Sequence, residues 1–253
     1  MDLLKVDGVT VEFGGITALA GLSFMVRQGE ICGLIGPNGA GKTTVFNVLS
    51  RIYEPTQGRV VFDGTDLLAV PAHGIAKAGI GRTFQNLALF PSMSLLENVM
   101  VGAHCDGRVG YVRAITRIGV RAEDRRLRER AMFLLESFGL ADLAGHPAAG
   151  LPFGTLKRVE IARALAAKPK FVMLDEPASG LTHSEVDELA DTLLRVRRDF
   201  DLTMLLVEHH MSMVMRVSDR IVVMEFGRKI AEGTPAEVRE NPEVIRAYLG
   251  SGA

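Results

Sequence analysis

The 253 residues contain only two cysteines, Cys32 and Cys105, far apart and with no Cys-x-x-Cys pair. That excludes a disulfide framework and a cysteine-built zinc site, and it fits a reducing compartment. Neither sign of charge dominates: 29 Lys and Arg face 30 Asp and Glu, for a net charge of −1. Nothing in the bulk charge points to nucleic acid. No stretch approaches the roughly 18 uninterrupted apolar residues of a membrane-spanning helix. The N-terminus lacks a secretory pattern, because acidic residues interrupt its apolar stretches. There is no internal repeat, no low-complexity tract and no long heptad run. His73, His104, His146 and His183 are too scattered to suggest a metal site. Any membrane role is therefore expected to come through a partner.

Against these absences stands one glycine-rich motif. Residues 36 to 43 read Gly-Pro-Asn-Gly-Ala-Gly-Lys-Thr, the P-loop pattern. Backbone N–H groups of such a loop close around phosphate oxygens. Gly36, Gly39 and Gly41 can take conformations that a Cβ resists, and Pro37, Asn38 and Ala40 fill the loop between them. Lys42 can reach the β- and γ-phosphates, and the Thr43 hydroxyl can ligate Mg²⁺. Glu30 to Ile35 before the loop is an apolar run, as in a buried parallel strand. Thr43 to Leu49, beginning Thr43-Thr44, reads as a helix with Val45, Val48 and Leu49 on one face. Phosphates would then sit at a helix N-terminus, where the dipole favours anions. ATP with Mg²⁺ is the expected ligand.

Residues 3 to 13 and 22 to 28 alternate like antiparallel strands, with Phe13-Gly14-Gly15 as a turn. Residues 58 to 63 give another strand, closed by Asp63-Gly64. From about 92 the character becomes helical: Ser94 to Val101 first, then Leu127, Ala131, Leu134, Leu135 and Phe138 at helical spacing, with Gly139 as C-cap. Arg121 to Arg130 holds five arginines among acids and reads as a solvated helix face. Apolar runs return at 171 to 174, 202 to 207 and 220 to 225, which suggests a parallel, doubly wound sheet. Thr234-Pro235-Ala236-Glu237 combines a capping box with Pro at the first helical position, and Asn241-Pro242 starts the last helix. Cys32 and the pair Met211 and Met215 read as packing residues.

Phe171-Val172-Met173-Leu174-Asp175-Glu176 describes a buried strand ending at two acids. Ligands of open α/β sheets bind beyond the carboxyl ends of the strands. Asp175 suits the Mg²⁺ shell of a Walker-B strand, and Glu176 is left to act on water.

The order of these elements resembles the ATP-binding subunit of an ABC transporter. Phe13 matches the aromatic residue that stacks on adenine. Gln85, in Arg82-Thr83-Phe84-Gln85-Asn86, matches the glutamine that joins the helical subdomain to the nucleotide core and senses the γ-phosphate and metal. Leu151-Pro152-Phe153-Gly154-Thr155 occupies the signature-loop position. Ala178 to Thr182 matches the loop after Walker B, and His209 the switch histidine. Phe13-Gly14-Gly15, Glu97-Asn98-Val99, Val159 to Leu165, Glu208-His209 and Glu232 to Pro235 resemble the branched-chain amino acid importers most closely. Lipopolysaccharide-export ATPases share much of the pattern.

The resemblance implies an α/β fold: a P-loop NTPase core of the ABC ATPase type, with an antiparallel β subdomain and an inserted α-helical subdomain. Residues 1–91 and 168–253 would form the core with its β subdomain and C-terminal tail. Residues 92–167 would form the helical subdomain. It also implies a head-to-tail dimer, in which one P-loop faces the other subunit's signature loop. Glu176, His209, Lys42 and Gln85 would be the catalytic set, and Thr43, Gln85 and Asp175 the metal set. The implied partners are two polytopic membrane permeases, a second ATP-binding subunit (identical or a paralogue) and, indirectly, a periplasmic or extracellular solute-binding protein. The implied location is the cytoplasmic face of the cell membrane. A soluble ABC ATPase of DNA or ribosomes, and a non-hydrolysing regulatory module, are the rival readings.

Three departures stand out. The family's usual signature is Leu-Ser-Gly-Gly-Gln; here Pro152, Phe153 and Thr155 replace three of the five. Pro152 removes a hydroxyl and an N–H. A helix beginning near Leu156 is expected, with Thr155 as its cap or as a replacement hydroxyl. Thr182 and His210 stand where aspartate is common.

Overall fold

A computed structural model describes residues 1–84, 87–103 and 120–249. Gln85, Asn86, His104 and Cys105 lie outside the described residues, as does the side chain of Arg121.

Two sheets organise the chain. The first is antiparallel, in the order β2-β1-β4-β5. Its strands are β1 (Asp2–Phe13), β2 (Ile16–Arg27), β4 (Gln57–Phe62) and β5 (Thr65–Asp66). Gly14-Gly15 turns β1 into β2. Asp63 and Gly64 both take positive φ, 48° and 77°, as a two-residue type I′ hairpin requires. β2 begins six residues before the expected position at Leu22, because register shifts along its pairing with β1 and a left-handed Gly21 break the alternation.

The second sheet has six strands in the order β10-β9-β3-β8-β7-β6. β3 (Ile31–Ile35), β6 (Ile80–Arg82), β7 (Phe171–Asp175), β8 (Thr203–Val207) and β9 (Arg220–Glu225) run parallel, and β10 (Arg228–Gly233) pairs antiparallel with β9. Every residue of β3, β7 and β8 is buried, which explains their unbroken apolar runs.

The period of two sends alternate side chains to opposite faces. Val172, Leu174, Met204 and Leu206 join the core formed with α3 (Leu95–Gly102), α4 (Val120–Ser137), α5 (Phe153–Leu165) and α6 (His183–Asp199). Phe171, Met173, Leu205 and Val207 join the core formed with α1 (Lys42–Leu49) and the antiparallel sheet. Each such fully buried side chain contributes about 1.5–3 kcal/mol. A short α2 (Ile75–Ala78) precedes β6. A third cluster joins Ile35 and Val223 to α7 (Met211–Val217), α8 (Pro235–Glu240) and α9 (Pro242–Leu249) through Val214, Val238 and Val244. Met211 and Met215 pack against it. Cys32 is buried in β3, and burial pushes its thiol up to about 12.

Full capping boxes start α3 (Ser94 with Glu97), α6 (Thr182 with Glu185) and α8 (Thr234 with Glu237). Buried Asn98 donates to the carbonyls of Phe90, Met93 and Ser94 and accepts from Phe90 N–H, which fixes the turn leading into α3.

Candidate functional site

The P-loop spans the gap between β3 and α1. Gly36 leaves the strand at φ 156°, and a Cβ there would stand 2.1 Å from the carbonyl oxygen of Met224. Gly41 caps α1 from the left-handed region at φ 99°, and a Cβ there would meet Ala18 O at 2.7 Å. Conformation and space both demand glycine at these two positions. The loop is braced from outside as well. Gly227 N–H, at the tip of the β9–β10 hairpin, donates to Ala40 O at 3.0 Å. The Tyr248 hydroxyl on α9 bonds to the Gly36 backbone, and burial pushes that phenol up to about 12.

Lys42 is buried, and its Nζ donates to Gly36 O at 2.7 Å and Pro37 O at 2.9 Å. Burial lowers its pKa, against the opposing pull of Glu176 and Asp175. Thr43 is exposed at the start of α1 and Thr44 half-buried. Asn38 and Gly39 are exposed at the tip of the loop.

Asp175 ends β7 and Glu208 follows β8, so both acids reach the same end of the sheet as the P-loop. Asp175 is buried. Its Oδ2 accepts from Arg82 Nη2 at 3.2 Å, and its N–H donates to Thr83 Oγ1 at 3.1 Å. Burial raises the Asp175 pKa more than the Arg82 charge lowers it. Arg82 also donates to Asn47 Oδ1 and Ser50 Oγ, which ties the acid to α1.

Glu176 takes φ 47°, a left-handed conformation uncommon for a residue with a Cβ. Its N–H donates to Val207 O at 2.9 Å, and its Oε1 lies 3.0 Å from His209 Nε2. The neighbouring Glu208 is buried, and its carboxylate is held by backbone amides. Its Oε1 accepts from Ala178 N–H at 2.6 Å, and its Oε2 from His209 N–H at 2.9 Å and His210 N–H at 3.2 Å. One buried carboxylate thus fixes the loop after Asp175-Glu176 and the loop that carries His209. A P-loop, two acids and a histidine converge at the strand ends, an arrangement suited to phosphoryl transfer to water.

The sequence and fold that carry this site have known relatives. Residues 19–179 match the family described as ABC transporter, and residues 228–253 the family described as branched-chain amino acid ATP-binding cassette transporter. The chain belongs to the ABC transporter ATP-binding family. It is 41% identical to a high-affinity branched-chain amino acid transport ATP-binding protein of Pseudomonas aeruginosa, over 98% of each chain. It is 42% identical to the protein of the same description from Escherichia coli K12, again over 98% of each. Among solved structures it is similar to the ADP conformation of an ATP-binding cassette of an ABC transporter, with a TM-score of 0.86 and 31% identity over 99% of both chains.

As an ABC ATPase, the chain binds and hydrolyses ATP. Its own departures from the family pattern have structural explanations. α5 begins at Phe153, three residues before the expected start near Leu156, with Pro152 as N-cap at φ −55°. Proline's fixed φ suits that place. Thr155 is therefore not the cap; it is a buried residue within the first turn. Pro152 contributes no side-chain cap bond, so the amides of Phe153, Gly154 and Thr155 keep the unsatisfied character of a helix start. Leu151 is half-buried. The Phe153 ring lies over Gly180, where a Cβ would come within 3.0 Å of it, and Lys157 Nζ sits 5.6 Å from the ring centre. Gly154 lies against the Glu185 carboxylate, and a Cβ there would stand 2.7 Å from Oε1, so the side chain would have to shift. Thr182, in the common aspartate's place, caps α6, and His210 is the N-cap of α7.

Phe13 is half-exposed at the end of β1, with its ring edge-on to Tyr53 at 5.0 Å. Three residues that shape the site were given no role by the sequence: Glu208 with its three amide contacts and Arg82 behind Asp175, which stood in the motifs only as neighbours of His209 and Gln85, and Tyr248 under Gly36. Of these, only the apolar strands ending in acids hinted at Glu208.

Proposed function

We propose that this chain is the ATP-hydrolysing motor subunit of an ABC importer, working at the cytoplasmic face of the membrane on branched-chain amino acids or related small solutes. The observation that carries the hydrolytic assignment is the Glu176–His209 contact of 3.0 Å beside the P-loop. The solute class rests on the relatives: identities of 41–43% to branched-chain amino acid transport proteins exceed the 33% to a lipopolysaccharide-export protein of Haemophilus influenzae.

In this mechanism Lys42 leaves its loop carbonyls for the β- and γ-phosphate oxygens, and the loop amides of residues 38 to 44 hold the rest of the triphosphate. Phe13 provides a ring for the adenine. Glu176 orients the attacking water and takes its proton, while His209 holds the Glu176 carboxylate and the γ-phosphate in register. Thr43 and Asp175 fit a Mg²⁺ ion: both offer hard oxygen, Thr43 is exposed, and Arg82 engages one carboxylate oxygen of Asp175. Gln85, outside the described residues, completes that set in the proposal. When bound, Mg²⁺ neutralises charge on the phosphoryl oxygens.

The site is half of a composite. The partner subunit, identical or paralogous, presents the amides at the start of its signature helix to the γ-phosphate. ATP favours the closed dimer because only that state makes both sets of contacts, and hydrolysis removes the bias. Residues 92–167 act as the helical subdomain in this scheme. Exposed Phe84, Phe90 and Met93 flank the Gln85 segment and suit a permease contact. Two such permeases and a solute-binding protein complete the importer. The test is ATP-driven uptake of labelled leucine into proteoliposomes carrying the chain with its permeases. Uptake with wild type and none with Glu176→Gln is expected. ATP turnover without leucine uptake would sink the solute assignment.

A further inference from the structure

Two partly exposed aromatic rings meet where the first hairpin passes the end of α1. Phe13 is 45% exposed and Tyr53 36%, and their ring centres lie 5.0 Å apart with the planes inclined at 70°. Ile16, paired with Phe13 across the Gly14-Gly15 turn, and Ile52, the neighbour of Tyr53, are exposed as well. Contiguous exposed apolar surface of this kind marks a place that a ligand or partner covers. The proposed function gives Phe13 to the adenine and leaves Tyr53 without a task.

Tyr53 is held through its backbone. α1 closes on a residue in the left-handed region, Arg51 at φ 58°. The chain folds back there, and Asn47 O accepts from Ile52 N–H at 2.8 Å and from Tyr53 N–H at 3.1 Å. Arg51 is fixed in turn: its Nε donates to Val70 O and its Nη2 to Glu54 Oε1, both at 3.1 Å. Three residues beyond Tyr53, Thr56 N–H donates to Thr10 O of β1 at 2.8 Å. The Tyr53 turn is therefore pinned to α1 on one side and to β1 on the other. Phe13, by contrast, sits at the tip of its hairpin, directly before two glycines.

The angle between the rings decides how they divide the work. A base sandwiched between parallel rings needs them about 7 Å apart, two contact distances of about 3.5 Å. Rings 5.0 Å apart and inclined at 70° leave no such slot. They form a corner, in which one ring is the floor and the other fixes its tilt, and in which the two quadrupoles attract. We infer that Tyr53 is a positioning residue for nucleotide, resting on the proposed role of Phe13 as the adenine platform: the Tyr53 ring holds the Phe13 ring in the plane on which the base stacks. A ring already fixed loses less freedom when the base arrives, so the brace raises affinity by pre-ordering the platform. The P-loop opens α1 and the Tyr53 turn closes it, so the support for the phosphates and the brace for the base ride on one helix.

The test compares a ligand that carries the base with one that lacks it. MgADP and magnesium pyrophosphate are titrated calorimetrically onto the full chain and its variants, and circular dichroism checks that each variant is folded. Tyr53→Leu should weaken ADP about threefold to tenfold, the loss of one edge-to-face pair, and leave pyrophosphate affinity unchanged. Tyr53→Phe keeps the ring and should bind ADP within about twofold of wild type. In a Phe13→Leu background Tyr53→Leu should cost nothing further, because the ring it holds is gone. Unchanged ADP affinity in Tyr53→Leu would overturn the proposal. So would an equal loss for pyrophosphate, which would make Tyr53 a support of the P-loop helix, or a larger loss from Tyr53→Leu than from Phe13→Leu, which would put the base on Tyr53. If Phe13→Leu itself leaves ADP binding intact, the failure belongs to the adenine-platform role, and the brace falls with it.

Discussion

Two loops of this chain each open a helix, and they are built in opposite ways. The P-loop is held on every side. Backbone from β9, β2 and the β9–β10 hairpin closes on Gly36, Ala40 and Gly41, and Lys42 spans the loop from within. The signature loop has no such cage. Its helix starts at a proline that offers no side-chain cap, and Phe153 stands half-exposed beside it. The first loop is organised for phosphate within its own chain. The second keeps helix-start amides and an open ring at the surface, as a surface that serves another subunit would. The contrast teaches that a departure from the common signature need not be a lesion: its amides survive the loss of the serine.

The contrast can be broken first at the acids. Glu176→Gln should cut turnover by about 10²–10⁴, the usual contribution of a positioned base, with ATP binding retained. Unchanged turnover in a phosphate-release assay would remove Glu176 from the chemistry. Lys42→Ala removes a charged donor to phosphate, a loss of about 1.5–3 kcal/mol, so nucleotide affinity should fall roughly 10- to 150-fold in calorimetry. Equal affinity would contradict the P-loop assignment.

Glu208 sharpens the comparison from behind the site. Glu208→Ala leaves three backbone N–H groups without their acceptor. Leaving such buried donors unpaired should cost about 1–3 kcal/mol of stability. Because the same bonds hold the His209 loop, kcat should fall more than KM rises. Glu208→Gln keeps one acceptor oxygen and should recover part of both losses. Equal unfolding midpoints for wild type and Glu208→Ala would dismiss the carboxylate as a structural tie.

The smallest expected effect is on pH. Burial holds Asp175 above the usual carboxylate range and Lys42 below the usual lysine range, so activity should fall away on both flanks earlier than free side chains would dictate. The Arg82 charge opposes the Asp175 shift, so Arg82→Gln should move the acid limb to higher pH. An acid limb that stays put would show that Asp175 does not set it. For stability the sign follows the raised carboxyl: its contribution is full at low pH and is lost as pH rises through the folded-state value.

Sequence periodicity revealed the parallel strands because burial on both faces writes continuous apolar runs, as in Phe171 to Leu174. It revealed α8 because Thr234 and Glu237 form their box locally. It hid β10, whose hairpin turn is Phe226-Gly227 and not Asn-Gly or Asp-Gly, and none of whose residues is fully buried. β6 was hidden too, since three residues with a glycine make no pattern. At the site, motifs brought out the residues that touch nucleotide in the proposed mechanism. They gave no role to Arg82, Glu208 and Tyr248, whose contacts span 93, 30 and more than 200 residues of chain and exist only after folding. The start of α5 was misplaced because Thr155 has the side chain of an N-cap, whereas Pro152, whose fixed φ suits a helix entrance, takes that place.

The central claim is that each P-loop is completed by the other subunit's signature loop. Lys42→Ala disables one half, and Phe153→Asp, which sets an anion at the helix start without disturbing the core, disables the other. Each variant alone should be nearly inactive. Mixed in equal amounts with free exchange, half of the dimers would pair the two variants, and each of those would hold one intact site. Phosphate release should then recover to about a quarter of the wild-type rate. A mixture no more active than the average of the two variants would contradict a site shared between subunits.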